Sequence, residues 1–198
     1  MTWFTKDEIE REFFKELKNL PDRAAAILAS SIIEDRLVDA LKSRLHDVKH
    51  KGEQLHDRMF SYLGPLGTFG TQIDVGFAIG VFTGQTRYDL HTIRDIRNKF
   101  AHKIVPKDFS DEWVKSKVSN IKIADRVPIK SFEGGPPAIL QSGMNPTGIQ
   151  LAETFLGHSS VRDTISARNR YIRAAEILSG LLLTMGARPY SEKKNPEF

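Results

Sequence analysis

The chain has 198 residues, 40% of them hydrophobic and 27% charged, which is enough for one well-buried core and short for two. It has no cysteine, which excludes disulfides, thiolate nucleophiles and Cys-ligated metals and is compatible with a reducing cytosol. A net charge of +4 and a pI near 9.3 permit an RNA or DNA partner without demanding one, and no apolar run is long enough to span a bilayer, so a cytoplasmic protein with no membrane partner is expected.

Thr5-Lys6-Asp7-Glu8 has the capping-box pattern, and Ile9, Phe13, Phe14 and Leu17 follow at helical spacing, so a first helix should stop before Pro21. A longer helix opens at Pro21 or Asp22 and runs to about Leu45. Its wheel puts Ala24, Ile27, Leu28, Ser31, Val38, Leu41 and Leu45 on one face, with the acids Glu34 and Asp35 at the edges. Ile32, Ile33 and Leu37 fall outside that face. A helix apolar on more than one side is central in the core or shared with a partner subunit.

Residues 46–54 read as a polar loop. His46, His50 and His56 lie in or beside it, but with no carboxylate motif such as H-E-x-x-H they read as solvated basic residues, and no metal or other cofactor is expected. Leu55 to Leu63 reads as a short helix closed by Gly64-Pro65. Thr68 can cap the next helix, which runs to about Val81 or Phe82 with Phe69, Ile73, Phe77 and Val81 as its apolar line. Gly76 and Gly80 remove side chains where another helix can approach closely. Asp74 either pairs with an arginine inside the bundle or faces solvent.

Leu90, Ile93, Ile96, Phe100 and Ala101 recur at three- and four-residue intervals and define an amphipathic helix. Arg97 falls inside its apolar arc, where a guanidinium must find a carboxylate or a phosphate. The two wheels together predict an ion pair between Arg97 and Asp35, or failing that Glu34. His102 lies five residues beyond Arg97, about 140° further round an unbroken helix. The two converge only if the helix ends near Ala101 or if a second subunit supplies one of them.

Pro106 stops any continuation, and Asp111-Glu112-Trp113-Val114 starts a short helix or irregular segment. Asn120–Ala124 with Val127–Ile129 is the only candidate hairpin. Residues 125–158 carry Pro128, Gly134, Gly135, Pro136, Pro137, Gly143, Pro146, Gly148 and Gly157, which predicts a long loop. Gly134-Gly135 is followed by two prolines without N–H groups, so it cannot cradle a phosphate. A final helix runs from about Ser160 to Met185 with Val161, Ile165, Ile172, Ala175, Leu178 and Leu182 in line. Arg162, Arg168, Arg170 and Arg173 with Tyr171 are the densest basic patch and read as a solvated face. The expected fold is an all-α, single-domain bundle of four to six helices over residues 1–190, with a disordered tail at 191–198.

Arg97-Asn98-Lys99-Phe100-Ala101-His102 fits the R-x4-H pattern of HEPN domains, with a polar residue after the arginine. A longer ordered set resembles the mannitol operon repressor family: Arg23-Ala24-Ala25-Ala26-Ile27-Leu28, Ile33-Glu34-Asp35-Arg36-Leu37, Gly64-Pro65-Leu66-Gly67-Thr68-Phe69, Ile73-Asp74-Val75-Gly76-Phe77-Ala78-Ile79-Gly80 and the R-x4-H segment. These pieces span about residues 20–105. The repressor resemblance implies a non-enzymatic transcriptional regulator, although no helix-turn-helix, basic zipper or zinc finger is visible, and a protein partner fits the sequence as well as DNA does. The HEPN resemblance implies a homodimer paired through the motif helices and a metal-independent endoribonuclease. In that enzyme His102 would move protons, Arg97 would stabilise the phosphorane and Asn98 would orient one or the other. In a structural role, Arg97 ties two helices together and His102 caps its own helix. Whether the chain is an enzyme stays open at this point.

Overall fold

A computed structural model describes residues 8–50, 53–102, 108–126 and 166–186. These form an all-α bundle. Its helices are α1 (Glu8–Leu17), α2 (Asp22–Lys42), α3 (Leu55–Phe60), α4 (Phe69–Ala78), α5 (Gly84–His102), α6 (Glu112–Ser119), α7 (Ile123–Arg126) and α8 (Ala167–Gly186). Where a polar loop is expected, Lys49–His50 (β1) and Glu53–Gln54 (β2) pair antiparallel as a minimal hairpin. Thr5, most of the 125–158 loop, the start of the last helix at 160–165 and the 191–198 tail lie outside the described residues.

The longest helix, α2, is the centre of the bundle. It packs most extensively on α8 and also meets α5, α4 and α1. Small residues make this close packing achievable: Ala25, Ala26, Ala29, Ser30 and Ala40 are buried alongside Ile33, Leu37 and Leu41. The buried face is therefore not the one expected. Leu28, placed on the core face by the wheel, is exposed, and Ala24, Ile27, Ser31, Val38 and Leu45 are only half-buried. A helix apolar on several sides offers more than one plausible face, and the close approach of neighbours selects the one rich in alanine.

Leu90, Ile93, Ile96 and Phe100 of α5 and Ile172, Ala175, Leu178 and Leu182 of α8 are buried as their spacing predicts. Phe100, Phe109 and Tyr171 stack in a row, with successive ring centroids 5.2 and 5.3 Å apart. Thr68 caps α4 by accepting from the Thr71 N–H at 3.2 Å. α4 ends at Ala78, short of the expected Val81, because Gly80 turns the chain with φ of 73°. Gly80 thus serves backbone conformation and not close approach, since nothing stands within 4 Å of its Cβ position. Gly76 is the close-approach glycine: a Cβ there would lie 2.8 Å from the Phe82 ring. Phe77, expected on the apolar line, is 44% exposed in the last turn of α4.

Two expectations from composition are overturned in α6–α8. Ile123–Arg126 is a helical turn and not a strand, because the Asp89 carboxylate of α5 receives the N–H groups of Lys122 (3.0 Å) and Ile123 (2.8 Å). Arg168 and Arg170 of the arginine patch do not form a solvated face either, and Arg162 lies outside the described residues. Tyr171 is fully buried, and its hydroxyl donates to the Ala26 carbonyl at 3.1 Å. Arg170, 9% exposed, donates to the carbonyl oxygens of Val118 (3.1 Å) and Ile121 (2.8 Å) and to the Asp125 carboxylate (2.5 Å). Arg168 donates to the carbonyls of Leu17, Lys18 and Leu20 and to the Asp22 carboxylate.

Arg170→Ala should cost about 3–5 kcal/mol, because it leaves Asp125 charged and buried together with two carbonyls. Gly76→Ala should cost about 1–3 kcal/mol by forcing the Phe82 ring aside. Urea denaturation of each variant measures both, and an effect below 1 kcal/mol for Arg170→Ala would contradict the buried network.

Candidate functional site

The R-x4-H segment forms the last two turns of α5, which stays α-helical through His102. No break at Ala101 swings His102 toward Arg97. At about 100° per residue the two point roughly 140° apart, and they are separated by about 7.5 Å along the axis. Within one chain they do not form one site. His102 is exposed at the helix end, and its ring makes no hydrogen bond to the described residues. The cap on this end comes from α2 instead, where Arg23 Nη2 donates to the Ala101 carbonyl at 2.9 Å.

Arg97 bridges the interior and the surface. Its side chain is 33% exposed, and Nη2 stands 3.8 Å from Glu34 Oε2 on α2, an ionic contact longer than a hydrogen bond. Nη1 donates to Asn98 Oδ1 at 3.2 Å. The Arg97 charge also reaches inward: burial pushes the Tyr171 phenol well above its usual range, with Arg97 pulling the opposite way. The expected first partner, Asp35, is exposed and does not meet Arg97. The reason lies in the rotation of α2. With its core face centred near Ile33, Leu37 and Ala40, Glu34 falls at the edge about 100° round, and Asp35 about 200° round points to water.

Glu34 is not a comfortable carboxylate. Burial raises its pKa above the ordinary 4.5, with the Arg97 charge lowering it and neighbouring Asp35 raising it further. A half-buried acid of raised pKa beside an arginine has a signature shared by functional sites and strained structural pairs.

Two further clusters flank this region, one around Asp74 and one around Trp113. On α4 and α5, Asp74 Oδ1 accepts from Arg87 Nε (2.9 Å) and Nη2 (2.6 Å) and lies 3.0 Å from His91 Nε2. Asp74 thus pairs with an arginine at the surface, not inside the bundle, and hydrogen bonds from Arg87 and His91 lower its pKa. On α5 and α6, Trp113 lies under two ammonium groups, Lys99 Nζ at 4.4 Å and Lys117 Nζ at 5.4 Å from its ring centroid. The Asp111 carboxylate fixes that tryptophan by accepting from the Trp113 and Val114 N–H groups at 3.1 and 3.3 Å. Lys99 and His102 are three apart and share the solvent side of α5.

Of the histidines expected to be solvated, His56 is buried. Its Nε2 stands 3.2 Å from the Leu45 carbonyl, and its Nδ1 stands 3.6 Å from Asp47. Among the described residues, no group of three or more His, Asp or Glu is placed to hold a metal ion. Among the same residues no helix is long and apolar enough to cross a membrane. The chain matches no family model, no curated protein and no solved structure.

The linkage of Glu34 has a definite sign. Its folded-state pKa lies above the unfolded one, so the associated stability is complete below about pH 4.5 and is lost as pH rises through the folded value. Glu34→Gln should match wild type near pH 4 and equal or exceed it at pH 7, read as urea midpoints. Arg97→Ala should cost only about 1 kcal/mol, because the pair is partly solvated and 3.8 Å apart. A loss above about 3 kcal/mol would indicate a pair behaving as fully buried.

Proposed function

We propose that this chain is a non-enzymatic regulatory protein of the mannitol operon repressor type, acting in the cytoplasm as a homodimer and through a protein partner. The observation that carries this reading is the unbroken course of α5 through His102. A proton-transfer group and a phosphorane-stabilising cation must meet at one reacting phosphate. In this chain Arg97 faces Glu34 and Asn98, while His102 points elsewhere. A surface offered to partners supports it too. Tyr62 and Leu63 are 89% and 92% exposed, on a turn closed by Gly64 N–H to Ser61 O at 2.8 Å and Leu66 N–H to Met59 O at 2.9 Å. Adjacent apolar side chains held out rigidly suit docking into a partner's pocket.

One observation favours a second reading, the metal-independent endoribonuclease. His102 is exposed and meets no carboxylate among the described residues, as a proton shuttle requires. A two-fold dimer could set His102 of one subunit opposite Arg97 and Asn98 of the other. The exposed Leu28 on the outer side of α2 supplies apolar surface for such pairing.

Purified protein incubated with mixed single-stranded RNA, with and without EDTA, separates the two. The regulator leaves the RNA intact in every arm. Loss of RNA that survives EDTA and disappears in His102→Ala would overturn the regulator reading in favour of the nuclease. His102→Ala leaves the fold intact because the side chain is exposed at a helix end. Light scattering at micromolar concentration should give twice the 22.4 kDa chain mass.

A further inference from the structure

The charge balance along α5 and α6 is uneven. Asp95 is the acid at their junction: Arg94 Nη2 stands 3.0 Å from Oδ1 and Lys117 Nζ 3.7 Å from Oδ2. Lys99 has no carboxylate partner at all among the described residues and rests on Trp113 alone. Two cations, Arg94 and Lys117, therefore share one carboxylate, and Lys99, over the same indole as Lys117, is balanced by no acid among the described residues. Lys115 adds nothing to the excess, being paired with Glu112 at 2.8 Å.

Both ammonium groups lie against one indole, 4.4 and 5.4 Å from its centroid. A cation–π contact at an exposed ring is worth only about 0.5–1 kcal/mol. An anion arriving from solvent can draw the lysines off the ring at little cost. Trp113 itself is 36% exposed, and its backbone is fixed by the Asp111 cap.

We propose that the Lys99–Trp113–Lys117 face binds single-stranded nucleic acid, with backbone phosphates on the two ammonium groups and a base stacked on the indole. This goes beyond the regulator reading and does not depend on it, since binding at this face needs neither cleavage nor a protein partner. A flexible anionic polymer with planar bases supplies both halves of the complement at once. An acidic peptide satisfies the lysines but has nothing for the aromatic face. A duplex keeps its bases stacked on one another and out of the ring's reach.

The test uses the full chain and fluorescein-labelled oligouridylate and oligodeoxythymidylate, followed by anisotropy and by tryptophan quenching. Polyphosphate, polyglutamate and a duplex of equal length serve as competitors. Binding with a dissociation constant below about 100 µM is expected at low salt. Trp113→Ala should weaken it by about tenfold, the scale of one lost base stack, and abolish the quenching. Lys99→Gln and Lys117→Gln should each weaken it several-fold and reduce the salt slope by about 0.7. Lys15→Gln, on exposed α1, is the control and should change nothing. Thermal melts check folding, and the two surface lysine variants keep the test intact if Trp113→Ala unfolds. Three results would overturn the proposal: no binding, competition by polyphosphate or polyglutamate as strong as by the oligonucleotides, or unchanged affinity in the lysine variants.

Discussion

Four helix ends in this bundle are closed by charged side chains borrowed from other helices. An orphaned backbone group in the interior costs about 1–3 kcal/mol, and every helix brings several to each of its ends. Arg168 of α8 takes the last carbonyls of α1, and Arg170 of the same helix takes those of α6. Asp89 of α5 receives the N–H groups that open α7, and Arg23 of α2 donates to a carbonyl in the last turn of α5. Each contact satisfies a terminus and also fixes where one helix ends relative to the flank of another. The short helices depend on this most. α7, with four residues, has too few internal hydrogen bonds to persist alone.

The position of the R-x4-H segment follows from the same constraint. Arg23 closing on Ala101 keeps α5 helical to its final residue, and an α-helix carried that far fixes the divergence of Arg97 and His102. Had the end been left to the histidine's own ring, the last turn could have unwound toward Arg97. Capping from α2 therefore bears on chemistry as well as on folding. It turns a pattern contiguous in sequence into two separate surface features, one facing α2 and one facing water.

Much of the bundle was legible because α4, α5 and α8 each have one dominant apolar stripe, and one stripe admits one orientation. α2 was misread for the converse reason. Its apolar residues go most of the way round, and the deciding factor was the small volume of Ala26, Ala29, Ser30 and Ala40. That error carried over to the site, where the same rotation exchanges Asp35 for Glu34 as the acid nearest Arg97. The arginines of α8 were misjudged because a wheel carries no information about where other helices terminate. A signal was nevertheless present at Asp89, four residues before Ile93 and seven before Ile96 and so on the core side of α5, where an acid must have donors waiting.

The Arg97–Glu34 contact differs in kind from the other ion pairs. Arg170–Asp125 is buried, short and supported by two carbonyls, so both charges have close partners. Asp74 is exposed, and its pKa is lowered by the donors around it, the mark of a carboxylate better accommodated in the fold than in water. For Glu34 the shift runs the other way, with burial outweighing the guanidinium. A pair retained purely to hold α2 against α5 would be expected to lower the acid's pKa. This one leaves an arginine a third exposed, a single hydrogen bond to Asn98, and an acid readier than usual to accept a proton. That combination offsets part of what the pair contributes at neutral pH, where Glu34 is charged, because a 3.8 Å contact with a guanidinium one-third exposed does not make up for the burial of the acid.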